Sequence, residues 1–334
     1  MLGGGRRQRM SKSAIITGVY GQDGSLLAEY MLALGYRVVG LVKKYKPGFL
    51  ALESVEIIET DISDPIAMRR VFATVRPDEC YHLAAYHHSS EQQSSTEDCW
   101  KMLRVNFMAT QAILDALLES SPACRFLYAG SNQMYTAQEG VAVIDESTPF
   151  SPSTYYGITK VASVHLVELL RRERGLWGLT AILFNHESTR RSTRFLSRKV
   201  TSSVAAFKAK GATATALPKL NLRDLSARTD WSAASDFVRA MHGALQAQYP
   251  QDYVLGSGTV HTVRDLVQEA FAAVDLDWRE FVVTGLGATS TRPCLLGDPR
   301  RAQQKLGWHA EKSFSELIRE MVQHDLAVAT DANV

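Results

Sequence analysis

The first 185 residues alternate between short apolar runs and stretches in which apolar residues recur every three or four positions. Residues 14–16 form an apolar run that ends in a glycine-rich turn, and residues 25–34 follow a helical period that Gly35 closes. Residues 36–42 form a second apolar run. The order strand, turn, helix, strand predicts the opening of a parallel α/β sheet.

The same unit repeats up to about residue 185. Further strands are predicted over 55–59, 79–83, 125–129 and 179–184. Further helices are predicted over 65–75, 100–119 and 155–173. Continuous apolar strands between helices indicate a sheet covered on both faces, so the predicted fold class is α/β, with a doubly wound parallel sheet of the Rossmann type.

The second half of the chain is less regular. Residues 186–230 are basic and polar, whereas 263–274 form an amphipathic helix, and Ser313 and Glu316 predict a capping box before another apolar stretch. We therefore expect a disordered lead-in over 1–12, a dinucleotide-binding domain over 13–185, and a smaller domain over 186–330 that mainly binds substrate. Later segments within 186–330 can also pack on the dinucleotide-binding domain.

Composition narrows the function classes. The 334 residues are 46% hydrophobic and 22% charged, which is typical of a folded protein and not of a disordered one. Lys and Arg total 37 against 35 Asp and Glu, so a nucleic-acid partner held by bulk charge is excluded and only a local basic patch is left open. No apolar run approaches the roughly 20 residues of a membrane helix. The four cysteines form no CxxC pair, so we expect a cytoplasmic protein with reduced thiols and no membrane partner.

The glycine-rich turn predicts a dinucleotide site. Gly18, Gly21 and Gly24 are spaced three apart between a predicted strand and a predicted helix, and the turn also contains Tyr20, Gln22 and Asp23. The first glycine permits the tight turn, the second lets the backbone approach a pyrophosphate, and the third lets the helix pack closely on the strand. A bare turn is the alternative interpretation.

The ends of the next two strands bear on the choice of cofactor. Lys43 and Lys44 follow the second strand where an acid would bind the ribose of NAD, so the cations favour NADP, although NAD stays open because lysines also form ordinary surface pairs. Asp61, followed by Ile62, ends the third strand. This carboxylate would accept from the adenine amino group or cap the next helix.

The catalytic candidates lie around a predicted helix start. Tyr156 and Lys160 are four residues apart and therefore share one helix face. A nearby ammonium is expected to lower the pKa of the phenol, as a general base for a sugar hydroxyl requires. Ser131, just past a strand, would hydrogen-bond the same hydroxyl. A surface helix face is the alternative, which the glycine turn and Ser131 make less favourable.

With these motifs the chain resembles the extended short-chain dehydrogenase/reductase family, and within it the GDP-mannose 4,6-dehydratases. The resemblance covers about residues 13–326, and NHES is its most specific segment. It rests on TGVYGQDGSLLAEY at 17–30, YHLAA at 81–85, TPF at 148–150 before Tyr156 and Lys160, LFNHES at 183–188, DW at 230–231 and LLGDP at 295–299.

The resemblance implies a reaction on a nucleotide sugar. The tyrosine would take the C4 hydroxyl proton while hydride leaves C4 for the nicotinamide; in dehydratases a glutamate then removes the C5 proton, water leaves C6 and hydride returns there. Leu83, Ala84 and Ala85 would lie along the cofactor. A homodimer or homotetramer is also implied, with an interface formed by the helices over 100–119 and 155–173.

Substrate contacts are expected from residues that follow the sheet strands. We interpret His87 as a polar loop residue near the substrate and not as a metal ligand, because no suitably spaced ligand set accompanies it. The resemblance, together with a cluster of cations that would suit a diphosphate, places the other substrate contacts at Asn185, Glu187, Arg190, Arg191, Arg198, Lys199 and Arg228. A solvated basic face is the alternative for the cations.

Two departures from the family pattern qualify the expected function. Gln133 stands in place of the catalytic glutamate, and an amide cannot accept a proton near neutral pH. Thr229 replaces an arginine before the Asp-Trp pair, with Arg228 one step earlier, so the nucleotide can differ from GDP.

The predicted function is NAD(P)-dependent C4 hydride transfer on a nucleotide-activated hexose, with a GDP-hexose favoured. A 4-epimerase or 4-keto reductase is the alternative, because both need Tyr156 and Lys160 but no C5 base. A non-catalytic dinucleotide-binding sensor is a more remote alternative.

Overall fold

The computed structural model describes residues 11–46, 53–87, 95–211, 218–285 and 293–331. Most of the predicted lead-in, residues 1–10, lies outside the described residues.

A seven-stranded sheet forms the centre of the fold. Its strands are β1 (Ser13–Thr17), β2 (Arg37–Val42), β3 (Glu56–Glu59), β4 (Glu79–His82), β5 (Arg125–Ala129), β7 (Gly178–Leu183) and β11 (Tyr253–Leu255). Their order is β11-β7-β5-β4-β1-β2-β3, and every neighbouring pair is parallel. The order reverses direction at β1, which is the doubly wound arrangement that the sequence predicts.

Helices cover both faces of this sheet because side chains alternate along each strand. In β1, Ile15 packs in the core on one face, whereas Ala14 and Ile16 pack in the core on the other, and all three are fully buried. The covering helices are α1 (Gln22–Ala33), α2 (Pro65–Val75), α4 (Ala109–Ser120), α5 (Tyr155–Arg174) and α7 (Ala234–Gln246). The continuous apolar strands of the sequence therefore correspond to a sheet buried on both sides.

The second half of the chain crosses back onto the sheet. Helix α7 and strand β11, which come from this second half of the chain, pack on the sheet and pair with it, respectively. Trp308, which follows α10 (Arg300–Leu306), donates its indole N–H to the Asp236 carbonyl in α7 at 2.8 Å. A separate apolar core lies among α6 (Leu196–Ala209), α8 (Val263–Ala272) and α11 (Phe314–Asp331). The remaining elements are β8 (Asn185–Glu187), β9 (Leu220–Leu222), β10 (Arg228–Ala233), β12 (Val260–Thr262), α9 (Trp278–Phe281) and β13 (Val282–Thr284).

Several predicted elements are confirmed and others need correction. Helix α2 and strand β5 match the predicted bounds, and the Ser313–Glu316 capping box is formed by hydrogen bonds in both directions. The helix predicted over 100–119 begins earlier, as α3 (Thr96–Met102), because Ser95 caps it, and it continues through a π-helical turn (Leu103–Met108) into α4. The parallel pair of β6 (Val141–Ile144) and β14 (Cys294–Gly297) was not predicted, since such short strands far apart in the chain leave no periodic signal.

Among the helices of the described ranges, none is both long and apolar enough to cross a membrane.

Candidate active site

The site lies at the carboxyl edge of the large sheet, where the parallel strands release their loops. The glycine turn follows β1, the segment 83–87 follows β4, a 3₁₀ turn (Asn132–Met134) follows β5, and β8 follows β7. Ligands of open α/β sheets bind at this edge, where the strand order reverses.

The glycine turn has the close packing that its sequence predicts. Gly18 has a φ of +72°, and the amide of Gly21 donates to its carbonyl at 2.8 Å. A Cβ on Gly24 would lie 2.3 Å from the Gly18 carbonyl oxygen, so only glycine allows helix α1 to begin so close to the turn. The turn therefore brings the backbone and the N-terminus of α1 to the edge where a pyrophosphate would bind.

A cavity of about 740 Å³ extends from this turn along the ends of β2 and β3. Cations surround it, and the lining includes the predicted cofactor residues Gly18, Tyr20, Gly21, Lys43, Lys44, Asp61, Ile62, Leu83, Ala84 and Ala85. The cavity has room for an adenosine and cations for phosphate, and a Cβ on Gly18 would clash with the Ala84 Cα, which lies 2.9 Å from its position. These residues fit a nicotinamide dinucleotide, whose pyrophosphate would be held by Gly18 and Gly21 and whose adenosine ribose would lie near the lysines.

The alternative role of Asp61 as a helix cap is wrong. Asp64 caps α2, because its carboxylate accepts from the amides of Ile66 and Ala67. Asp61 instead accepts from Ser63 at 2.6 Å and pairs with Arg104 at 3.3 Å, and these bonds hold its pKa below the ordinary value. It remains ionised at the rim of the cavity.

A second, smaller cavity of about 200 Å³ holds the predicted catalytic residues. Ser131, Gln133, Tyr156 and Lys160 all line it, together with His87, Asn185 and Arg191. Leu83 and Ala85 line both cavities, so the catalytic cleft adjoins the cofactor cavity. The carboxyl ends of β4, β5 and β7 and the start of α5 thus meet at this cleft.

The predicted lowering of the Tyr156 pKa by Lys160 is wrong for this structure. Burial raises the pKa of Tyr156, and only the Ser131 hydroxyl and Arg191 oppose that rise. Lys160 is 2% exposed, donates to the Ala129 carbonyl at 2.7 Å, and burial lowers its own pKa to about 7. Desolvation of both groups therefore outweighs the attraction that their helical spacing predicts.

Gln22 and Asp23 use their side chains to join the two halves of the chain. Gln22 donates to the His186 carbonyl at 3.0 Å and accepts from Ser188 at 2.9 Å. Asp23 contacts the His186 ring at 2.9 Å. Burial opposes both charges, but the pairing holds the pKa of Asp23 below its ordinary value and raises that of His186. The first turn of α1 thereby fixes the NHES segment.

The predicted substrate residues divide into two groups. Asn185 and Arg191 line the catalytic cleft, and Asn185 also donates to Thr229 at 2.7 Å. The other five predicted residues lie outside the lining of both cavities. Three of them form ion pairs: Arg190 with Glu29, Arg198 with Asp325, and Glu187 with Arg191. The remaining two donate to backbone carbonyls, Lys199 to that of Asn221 and Arg228 to that of Gly140. The structure thus does not gather the cations into one patch.

Sequence reasoning missed several residues of the cleft, among them Phe195, Asn132 and His186. Phe195 carries the Arg191 guanidinium 3.6 Å above its ring, Asn132 donates to Asn185, and His186 pairs with Asp23. The signal that could have found His186 is its place in the NHES segment, whereas no spacing rule singles out Phe195 in a polar segment. Only the fold brings its ring to the cleft.

The fold and the site together are those of a dinucleotide-binding protein in which Ser131, Tyr156 and Lys160 line one cleft. The family model for GDP-mannose 4,6 dehydratase matches residues 15–321. The chain is 32% identical over 338 residues to GDP-mannose 4,6 dehydratase 2 of Arabidopsis thaliana, covering 95% of this chain and 88% of that protein.

Solved structures show the same fold. The RMD protein of Pseudomonas aeruginosa, complexed with NADPH, has a TM-score of 0.78 at 19% identity and covers 95% of this chain and 100% of its own. The dTDP-glucose 4,6-dehydratase of Bacillus anthracis, in complex with NAD, has a TM-score of 0.79 at 15% identity, with 94% and 96% covered. The chain belongs to the GDP-mannose 4,6-dehydratase family, and it is a nucleotide-sugar enzyme of the extended short-chain dehydrogenase/reductase type.

The buried Lys160 leads to a prediction about stability and pH. Its pKa is about 7 in the folded protein and about 10.4 in an unfolded chain. Between these values the unfolded chain binds the extra proton, so stability rises with pH. The free energy of unfolding of the native protein, relative to that of Lys160→Met, should therefore rise from pH 7 to pH 9 by up to about 1.4 kcal/mol per pH unit.

Urea unfolding at pH 7, 8 and 9 measures this difference. Lys208→Met is the matched control, because Lys208 also donates to a carbonyl, that of Val274, but is exposed. A native-minus-variant difference that stays flat for Lys160→Met would contradict the prediction.

Proposed function

We propose that this protein transfers hydride between C4 of a nucleotide-activated hexose and a nicotinamide dinucleotide. The observation that carries the proposal is that the two cavities adjoin, because Leu83 and Ala85 line both, while Ser131, Tyr156 and Lys160 line the smaller one. Family membership supports a nucleotide sugar as substrate, and a GDP-hexose is the first choice because the Arabidopsis relative is a GDP-mannose dehydratase.

The residues of the cleft suit this chemistry. Tyr156 exchanges a proton with the C4 oxygen, and Ser131 hydrogen-bonds that oxygen and orients it. Lys160 lies 5.5 Å from the Tyr156 ring centroid and holds the phenol and the Ala129 carbonyl in one arrangement. The bound dinucleotide supplies the hydride acceptor or donor. Asn185 and Arg191 hold the phosphate end of the sugar nucleotide.

A 4-epimerase or 4-keto reductase is the second candidate. The observation that favours it is Gln133, which lines the cleft and whose amide cannot remove the C5 proton. Both reactions need only C4 hydride transfer. A non-catalytic sensor is disfavoured, because a binding protein has no use for a serine, a tyrosine and a lysine gathered beyond the cofactor cavity.

Hydride transfer from C4 is tested with a labelled substrate. Full-length protein is given GDP-mannose, UDP-glucose or dTDP-glucose deuterated at C4, with NADP or NAD, and the deuterium is followed by mass spectrometry. We expect deuterium to leave C4 for one of these sugars. Tyr156→Phe should lower the rate by about 10²–10⁴ because it removes the proton-exchanging group.

Cofactor binding, measured by quenching of tryptophan fluorescence, is the control for Tyr156→Phe and should stay within a few fold of native. If no tested sugar loses deuterium from C4 or inverts its configuration there, or if the variant reacts at the native rate, the proposed function is wrong.

We propose NADP as the preferred cofactor, with NAD as the alternative. Lys43 and Lys44 are exposed at the rim of the large cavity, and Lys46, Lys101 and Arg104 add further positive charge there. This arrangement suits an additional phosphate on the adenosine ribose. The NADPH in the Pseudomonas RMD structure agrees with that preference, whereas the NAD in the Bacillus dehydratase shows that the fold accepts either.

The double variant Lys43→Glu/Lys44→Glu should reverse this preference, because it replaces two cations by two anions beside the extra phosphate. The ratio of the Kd for NADP to the Kd for NAD should rise at least about tenfold, equivalent to 1.4 kcal/mol. Lys305→Glu, an exposed lysine outside both cavities, is the control and should leave the ratio unchanged. Equal ratios in the native and double-variant proteins would refute the assignment.

We propose that the helix pair of 96–120 and α5 forms the interface between two copies of the chain. Large apolar side chains are exposed along it, at 68% for Trp100, 52% for Met108, 60% for Tyr155 and 52% for Ile158. Exposed apolar clusters of this kind mark protein interfaces. The same interface serves a homodimer and, with a second contact, a homotetramer.

Met108→Glu should halve the particle mass in light scattering, because a carboxylate cannot be buried unpaired in an apolar interface. Val328→Glu, at a position 56% exposed on α11, is the control and should keep the native mass. A native protein that is already monomeric, or a variant of unchanged mass, would contradict the proposed interface.

A further inference from the structure

The buried ammonium of Lys160 has no carboxylate partner among the described residues. Its side chain is 2% exposed, and it donates one hydrogen bond within the described ranges, to the Ala129 carbonyl at 2.7 Å. An ammonium has three donors, and a buried charge that is incompletely paired is costly. Burial accordingly lowers the pKa of Lys160 to about 7. Any further attraction in this cleft therefore changes how much of the lysine is charged near neutral pH.

An aromatic ring lies beside the ammonium where an ion pair would have a carboxylate. The Lys160 Nζ atom lies 4.8 Å from the centroid of the Tyr128 ring and 5.5 Å from that of the Tyr156 ring. A cation within about 6 Å of a ring face is attracted by the quadrupole of the ring, most strongly where water is excluded. Tyr128 is 1% exposed, so water is excluded from this contact.

The sheet holds the Tyr128 ring in place. Tyr128 lies in β5, opposite His82 of β4 and Thr180 of β7. The His82 ring packs against it at 5.7 Å between centroids. Burial raises the pKa of the Tyr128 phenol, so the side chain stays neutral and cannot serve as an anion. What Tyr128 offers to Lys160 is therefore the face of its ring.

The other titratable groups around Lys160 do not replace this contact. Those that share its cleft are Asp23, His87, Tyr156, His186 and Arg191. Asp23 is the one carboxylate of this set, and it pairs with His186 at 2.9 Å. From β4, His82 is neutral, because burial lowers its pKa to about 3. Within the described part of the chain no anion bonds Lys160, and the Tyr128 ring supplies the attraction instead.

We propose that Tyr128 is a positioning residue for hydride transfer at C4, because the face of its ring stabilises the charged form of Lys160 beside Tyr156. This role rests on the proposed function. Oxidation at C4 moves the hydroxyl proton to the Tyr156 phenolate and the hydride to the bound dinucleotide, and reduction reverses both movements. In each direction a charged Lys160 stabilises the phenolate, whereas a neutral one does not.

A role of this kind has its own pH dependence. Well below its pKa, Lys160 is charged with or without the ring, so loss of the ring leaves the rate of C4 transfer unchanged. Well above it, the charged fraction falls tenfold for each unit by which the pKa drops, and the rate falls with it. A packing defect would instead lower the rate equally at every pH.

The first test compares Tyr128→Leu, which removes the ring, with Tyr128→Phe, which keeps it and is the matched control. C4 transfer is measured at pH 5.5 and pH 9 with the sugar that shows it. Tyr128→Leu should lower the rate about two- to thirtyfold at pH 9 and change it by no more than about twofold at pH 5.5. Tyr128→Phe should follow the native protein at both pH values.

A ring of nearly unchanged shape separates lost attraction from lost packing. Trifluorophenylalanine introduced at position 128 withdraws electrons from the ring face, so it should lower the rate at pH 9 relative to Tyr128→Phe. The titration of Lys160 is a readout that needs no substrate. It is followed by ¹³C NMR of labelled lysine and assigned with Lys160→Met. Its midpoint should lie about 0.4–1.5 pH units lower in Tyr128→Leu than in Tyr128→Phe.

These readouts separate the inference from the proposed function. A Lys160 midpoint that is the same in all the position-128 variants would overturn the contact between ring and ammonium. A lower midpoint with an equal loss of C4 transfer at both pH values would overturn the role of Tyr128 in that transfer. If the native protein transfers hydride at C4 of no tested sugar, the proposed function fails by itself. The titration then still decides the contact: a lower midpoint supports it and an unchanged one overturns it.

Discussion

The active site depends on one buried hydroxyl between two strands. Thr17, at the end of β1 and fully buried, accepts the amides of Leu83 at 3.1 Å and Ala84 at 3.0 Å and bonds the His82 ring at 2.8 Å. Burial, with Lys160 as a smaller cause, lowers the pKa of His82 to about 3, so the ring is neutral and can accept a hydrogen bond from the Thr17 hydroxyl. Because buried polar groups left unpaired cost about 1–3 kcal/mol each, these bonds fix the glycine turn against the segment that carries His87.

From there a chain of buried hydrogen bonds crosses to the catalytic helix. The other nitrogen of the His82 ring contacts Thr110 at 3.1 Å, and Thr110 donates to the Asn106 carbonyl at 2.8 Å. The side chain of Asn106 reaches Thr159 at 3.2 Å, directly before Lys160. Asn106 lies in the π-helical turn, and such turns re-aim side chains at functional sites. The cofactor turn, the loop after β4 and the catalytic helix are thus held in one rigid arrangement, as proton transfer over short distances requires.

The two halves of the chain meet at the same edge through a charged pair. Asp23 and His186 join the first turn of α1 to the NHES segment, which leads to Asn185 and Arg191 in the cleft. This pair therefore joins the glycine turn, proposed to bind the cofactor, to the residues proposed to bind the sugar nucleotide. The side chains of Gln22 and Asp23, which the glycine motif suggests as cofactor contacts, therefore bond to His186 and Ser188 within the protein.

The sequence by itself determined the doubly wound sheet, the dinucleotide turn and the Ser131, Tyr156 and Lys160 centre, because periodicity and short spacings are local properties of a chain. It did not determine the electrostatics, since the rise in the Tyr156 pKa comes from burial by residues distant in sequence. Only the tertiary structure separated Arg198 and Lys199 from the cleft and brought His87 to Gln133, 46 positions away. Contacts of that kind follow from how the strand ends meet at the sheet edge, which no local pattern encodes.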